Sequence, residues 1–147
     1  MKILRRTITV ICIIILSQSI ILAIPNFEDD YSDDSIVYKI NKSLSIDNDK
    51  FIVERLIMDD KDIYIEYKLI TFEKGWTFPD SAITLINSKG KELQGRGSFS
   101  SGKIWGEQGV LKYDCDIKDG ETIIVRFEWY DRKSDLLIHL SKEGVTH

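Results

Sequence analysis

Between Gly95 and Trp105 the chain reads "GRGSFSSGKIW", and this stretch carries the strongest hint of chemistry. Gly97, four residues, then Gly102-Lys103 has the G-x-x-x-x-G-K spacing of a phosphate-cradling loop. Such a loop works because a strand enters it and a helix leaves it. Loop amides and the helix N-terminus hold the phosphates, and a Ser or Thr after the lysine ligates magnesium. Here Ile104 takes the hydroxyl position, and "IWGEQGVLKY" continues with two glycines and then a strand pattern. No nucleotide is therefore expected to bind. The stretch reads instead as a long, mobile connection between strands, with Gly95, Gly97, Gly102, Gly106 and Gly109 permitting tight or positive-φ backbone.

Other constellations are weaker. His139 and the terminal His147 are the only histidines, and Cys115 alternates with apolar neighbours, where a thiol behaves as a small inert hydrophobe. A Cys115–His139 nucleophilic pair is thus not expected. Zinc needs three or four convergent ligands, which two histidines and one usable cysteine do not supply. The acids of "NFEDDYSDDSI" lack the spacing that wraps calcium. Catalytic residues, metal and cofactor are all expected to be none. Acids are abundant enough that two could meet in space, as glycoside cleavage requires, but on strands alternate acids usually form the wet face.

The aromatic residues suggest recognition. Trp76 and Phe78 lie in "GWTFPD"; Phe99 and Trp105 flank the glycine stretch, with Arg96 and Lys103 beside them. Trp76 and Phe78 are expected to point inward and cap a core. Trp105 either packs inward too or, if exposed, makes Arg96, Phe99, Lys103 and Trp105 the first choice for a binding surface, since exposed Trp with Arg is a recurrent recognition pair.

The elements that must position these residues repeat with a period of two, the mark of half-buried strands. Ile63, Ile65, Tyr67 and Leu69 share a face in "DIYIEYKL"; Leu111, Tyr113, Cys115 and Ile117 do so in "VLKYDCDI". Ile123, Val125, Phe127 and Trp129 follow in "TIIVRFEWY", then Leu136, Ile138 and Leu140 in "DLLIHL". In "FIVERLIM" the phase moves from Phe51 and Val53 to Leu56 and Met58, which predicts a β-bulge near Glu54-Arg55. Turn residues separate the runs at "DNDK", "DDKD", "NSKGK" and "KDGE". The pattern predicts an all-β, antiparallel, immunoglobulin-like sandwich of seven or eight strands over residues 37–147, without the paired cysteines of the antibody kind.

The N-terminus is a different material. Lys2, Arg5 and Arg6 precede the uncharged apolar run Thr7–Ile24, the order of an export signal. Residues 1–25 are expected to form a hydrophobic helix acting as signal peptide or signal anchor, with membrane contact through residues 7–24. Residues 26–36 are expected to be an acidic spacer. Basic residues before the run and acids after it place the N-terminus inside and the domain outside. Cys12, within the run, then has no route to Cys115. Beyond the signal, 17 basic residues face 24 acidic ones, a net charge of −7, so nucleic acid and anionic lipid are not expected partners.

The stretches "IMDDKDIYIEYKL" (57–69), "ITLINSKGKEL" (83–93) and "ETIIVRFEWYD" (121–131), with the Gly/Ser-rich connection between the last two, carry a family likeness. They resemble extracellular immunoglobulin-like domains of unknown function in single-span membrane proteins of low-GC Gram-positive bacteria, some of them anti-sigma-factor-like. The resemblance implies a sandwich outside the membrane and no catalytic residues. Anti-sigma-like members carry a cytoplasmic segment, whereas Met1–Arg6 are all that precede the apolar run here. The expected function is a non-enzymatic module, exported or anchored at the extracellular face, that binds an envelope protein or a cell-wall polymer. The alternatives are an envelope polymer hydrolase with paired carboxylates and an accessory sensor for a separate signalling protein.

Overall fold

The computed structural model describes residues 31–32, 34–72, 78–141 and 145–146. The expected signal segment, Cys12, most of the acidic spacer, Trp76 and His147 lie outside the described residues. The described residues from Ser32 onward form one compact unit.

Nine strands are described: β1 (Ile36–Ile46), β2 (Asp49–Met58), β3 (Asp62–Ile70), β4 (Ile83–Ile86), β5 (Gly95–Lys103), β6 (Gly106–Asp114), β7 (Thr122–Trp129), β8 (Arg132–His139) and the two-residue β9 (Val145–Thr146). One sheet has the order β5-β6-β3-β2-β1-β9, the other β4-β7-β8, and every pairing is antiparallel. A 3-10 turn at Asp80–Ala82 leads into β4.

The alternation read from the sequence becomes the core between the sheets. Ile63, Ile65, Tyr67 and Leu69 of β3 and Leu111 and Tyr113 of β6 are buried against Leu85 of β4, Ile123, Val125 and Phe127 of β7, and Ile138 of β8. Phe78 packs inward as expected, stacking on Phe51 at 5.5 Å and on Phe127 at 6.4 Å between ring centroids. Each aromatic ring taken from water adds roughly 1.5–3 kcal/mol before entropy is counted. Cys115 is half-buried just beyond the end of β6, so the alternation persists while the ladder stops.

The expected bulge is present: the β2–β3 register shifts between Val53 and Arg55, at Glu54. A second shift in β1, between Lys39 and Lys42, holds Asn41 at φ 48° at the same level of the sheet. An extra residue in each strand bends both together. On the outer face Arg55 grips Glu66 with two hydrogen bonds, 2.5 and 2.9 Å, and Lys68 reaches Glu54 at 2.6 Å.

One expectation needs correction. The glycine stretch is not a long, mobile connection; it is β5, joined to β6 by the two-residue turn Ile104–Trp105. Gly and Ser are poor strand formers on propensity, but tertiary pairing overrides propensity at an edge. Two features of β6 admit β5 and its turn. A Cβ at Gly109 would meet the Phe99 carbonyl oxygen inside contact distance and lie 2.9 Å from the Tyr67 hydroxyl. Gly106, at φ 145°, leaves no room for a Cβ beside the Leu69 carbonyl.

Candidate functional site

The β5–β6 hairpin and the opening beside it hold the expected contact residues, and the structure separates them. Arg96 occupies the register shift at the start of β5, where its Nη1 lies 3.3 Å from Asp62 Oδ1 and its Nε faces Asp114 Oδ1. Lys112 adds a 3.0 Å ion pair to Asp62 and sits over the Tyr64 ring. Arg96 is thus anchored in a charge cluster. Seven residue steps of strand, roughly 23 Å at 3.3 Å each, divide it from Lys103.

Phe99, at the middle of β5, is 50% exposed, opposite Val110 on the outer face. Lys103 closes β5 opposite Gly106 and is half-buried. Trp105 is 39% exposed in the turn, beside the fully exposed Ile104. The turn is held in place because the Thr71 N–H donates to the Trp105 carbonyl at 3.1 Å. Phe99, Lys103, Ile104 and Trp105 therefore share the outer half of a well-supported hairpin.

The inner side of β5 faces a different environment. Between β5–β6 and β4 lies an open cleft of about 490 Å³ lined by Asp80, Glu92, Leu93, Ser98, Leu111 and Tyr113 among others. Ser98 hydrogen-bonds Asp80 across it. The buried Tyr113 hydroxyl donates to the Ile83 carbonyl at 2.9 Å, tying the two sheets together behind the cleft. On the neighbouring strand β3, Tyr67 donates to Glu107 Oε1 of β6 at 2.6 Å. Burial pushes both tyrosine hydroxyls well above the ordinary phenol value; hydrogen bonding to Glu107 adds to this at Tyr67, and the charge of Asp80 adds at both. Such hydroxyls stay protonated near neutrality and serve as fixed donors, not bases.

The remaining candidates have other partners. Burial raises the Cys115 thiol, whose Sγ lies 4.0 Å from the Ile117 carbonyl. His139 Nδ1 is 3.1 Å from Thr122 Oγ1 on the neighbouring strand. Among the described residues, no three His, Cys, Asp or Glu side chains are placed to hold a metal ion, and no helix is long and apolar enough to cross a membrane.

The cleft was missed in the sequence because its residues come from three separated segments. No motif or periodicity singles out Asp80, Ser81 or Glu92 in the sequence. Gly109 did carry a signal: glycine inside a strand marks close approach of another group. Comparison with protein-family models, curated proteins and solved structures finds no match to this chain.

Proposed function

We propose that this chain is a non-catalytic interaction module of the bacterial cell envelope, exported or anchored through residues 7–24, whose β5–β6 hairpin contacts an envelope protein. The observation that carries the reading is the hairpin itself. It presents Phe99, Ile104 and Trp105 to solvent beside Lys103, on backbone fixed by Gly106, Gly109 and the Thr71 tie. Exposed aromatic residues next to a cation on a rigid sandwich are the composition of a recognition surface. The basic-then-apolar N-terminus supports export.

Strand order supports the immunoglobulin-like assignment. With β1 and β9 set aside, β2-β3-β6-β5 and β4-β7-β8 reproduce the ABED and CFG sheets of the constant-type domain in chain order. Cell-wall polymer is the alternative ligand of the same surface, and an accessory sensor would use it to touch a signalling protein.

The test places a photoreactive residue at Trp105 in the full chain in intact cells, with His139 on the far edge strand as control. A discrete protein adduct from position 105 and none from 139 is the expected outcome. Adducts with wall fragments would move the reading to polymer binding. No adduct from 99, 103 or 105 in folded, exported protein would overturn it. A second reading, a paired-carboxylate hydrolase, draws on one observation, that Asp80 and Glu92 line the same cleft. Hydrolysis of wall polymer lost on Asp80→Asn would favour it.

A further inference from the structure

Sheet edges are where another chain can add a strand, and natural domains defend them with charge, proline, shortness or cover. Among the described strands, three of the four edges are defended. β9 is two residues long, and beyond it the edge passes to β1, which carries Lys39, Lys42 and the irregularity between them. β4 has four residues, and its outer side is covered where the Leu93 N–H donates to the Leu85 carbonyl at 2.8 Å and Glu92 bridges to Ile86. β8 carries Arg132, Lys133, Asp135 and His139 along eight residues. β5 differs. Its nine residues run "GSFSSG" between Arg96 and Lys103 with neither charge nor proline, and Gly95–Ser100 are all exposed. Among the described strands, none pairs with β5 on the side away from β6, the side to which Ser98, Ser100 and Gly102 turn their backbone groups.

An added strand would direct alternate side chains to the outer face beside Phe99 and over the cleft between β5 and β4. The cleft has an apolar floor from Leu93, Leu111 and Tyr113 and acids at Asp80 and Glu92. Lys112, which also lines the cleft, directs its ammonium to Asp62 and the Tyr64 ring instead. An apolar floor with carboxylates above it matches a long side chain with a hydrocarbon stem and a cationic head. A second copy of this chain fits less well: its β5 would offer only Ser and Gly to the cleft and bring a second Asp80 and Glu92 beside the first.

We propose that the free edge of β5 takes up an extended segment of another polypeptide as an added strand, with a Lys or Arg side chain of that segment seated in the cleft between β5 and β4. This rests on the interaction-module reading and names its partner class. Backbone pairing supplies affinity, and the cleft selects the side chain.

The test selects random nonapeptides displayed on phage against the full-length chain in detergent, then remakes the winners as soluble peptides. Enriched peptides are expected to carry a Lys or Arg whose change to Glu weakens binding at least tenfold. N-methylation of alternate amides should abolish binding in one phase and spare it in the other, because only alternate amides of an added strand face β5. Asp80→Asn should shrink the preference for Lys over Glu at least fivefold, and Ser100→Pro should block binding at the edge. If Ser100→Pro unfolds the domain, the N-methyl phase pattern carries the same information from the peptide side. Failure to enrich any peptide, enrichment indifferent to Lys-to-Glu change, equal sensitivity in both N-methyl phases, or self-association through β5 in sedimentation each overturns the proposal. A protein adduct from position 105 in cells alongside any of these leaves the interaction module standing; loss of both removes both.

Discussion

Gly109→Ala tests whether the hairpin depends on the close approach of β5, Tyr67 and β6. An added Cβ meets the Phe99 carbonyl, the Tyr67 hydroxyl at 2.9 Å and the Ser100 Cβ at 3.0 Å. Two of the three neighbours belong to β5, so relief requires the edge strand to move. Overpacking of this kind costs about 1–3 kcal/mol. Displacing Tyr67 also threatens its bond to the Glu107 carboxylate, worth about 1.5–3 kcal/mol if lost entirely. Replacing glycine within a strand returns roughly 0.5–1 kcal/mol of backbone entropy. A net loss of about 2–3 kcal/mol follows, or near 10 °C in Tm at roughly 4 °C per kcal/mol for a domain of this size. Urea titration of the full chain, followed by tryptophan fluorescence, measures it. Gly102→Ala is the control: its Cβ meets nothing within 4 Å, and stability should hold or rise slightly. Combining Gly109→Ala with Tyr67→Phe removes one of the obstructing atoms, so the double variant should be less destabilised than the sum by about 1 kcal/mol. A Gly109→Ala chain as stable as wild type, or strict additivity with Tyr67→Phe, would refute the packing argument.

Two further predictions concern pH. Tyr38, Tyr67 and Tyr113 are held above the ordinary phenol value chiefly by burial, with Tyr38 also hydrogen-bonded to Asp119 at 2.8 Å. The unfolded chain releases these protons first, so their contribution is complete below about pH 10 and is lost as pH rises. The slope should approach 4 kcal/mol per unit for the three together. Alkaline difference spectra should show them ionising only with unfolding, and early ionisation of all six tyrosines in folded protein would contradict this. On the acid side, the hydrogen bonds from Arg126, opposed by partial burial, hold Asp135 below the usual carboxylate range. That stability is present above the unfolded carboxylate value and disappears as pH falls through the lowered one. Asp135→Asn should cost about 0.5 kcal/mol at neutral pH and nothing in strong acid, as chemical denaturation at both pH values would reveal.

The division between what could be read early and late follows from range. Period-two alternation is local, so the inward faces of β3, β6, β7 and β8 were legible residue by residue. The bulge at Glu54 was equally legible, because a phase change needs only neighbouring residues. β1 was harder. Its polar "NKS" interrupts the alternation, and the bulge at Asn41 that accommodates it depends on the register with β2. Arg96, Phe99, Lys103 and Trp105 looked like one cluster because they are close in sequence; an extended strand pulls them apart, and Asp62 and Asp114 claim the arginine.

By itself the sequence determined the all-β class, most of the buried faces and most of the turns, since each depends on residue type and short spacing. Tertiary structure alone decided that the glycine stretch is an edge strand, because glycine and serine encode no preference strong enough to announce one. It likewise decided that Asp80, Glu92, Ser98 and Tyr113 share a cleft, since contact between distant segments arises only when two sheets close over a common core.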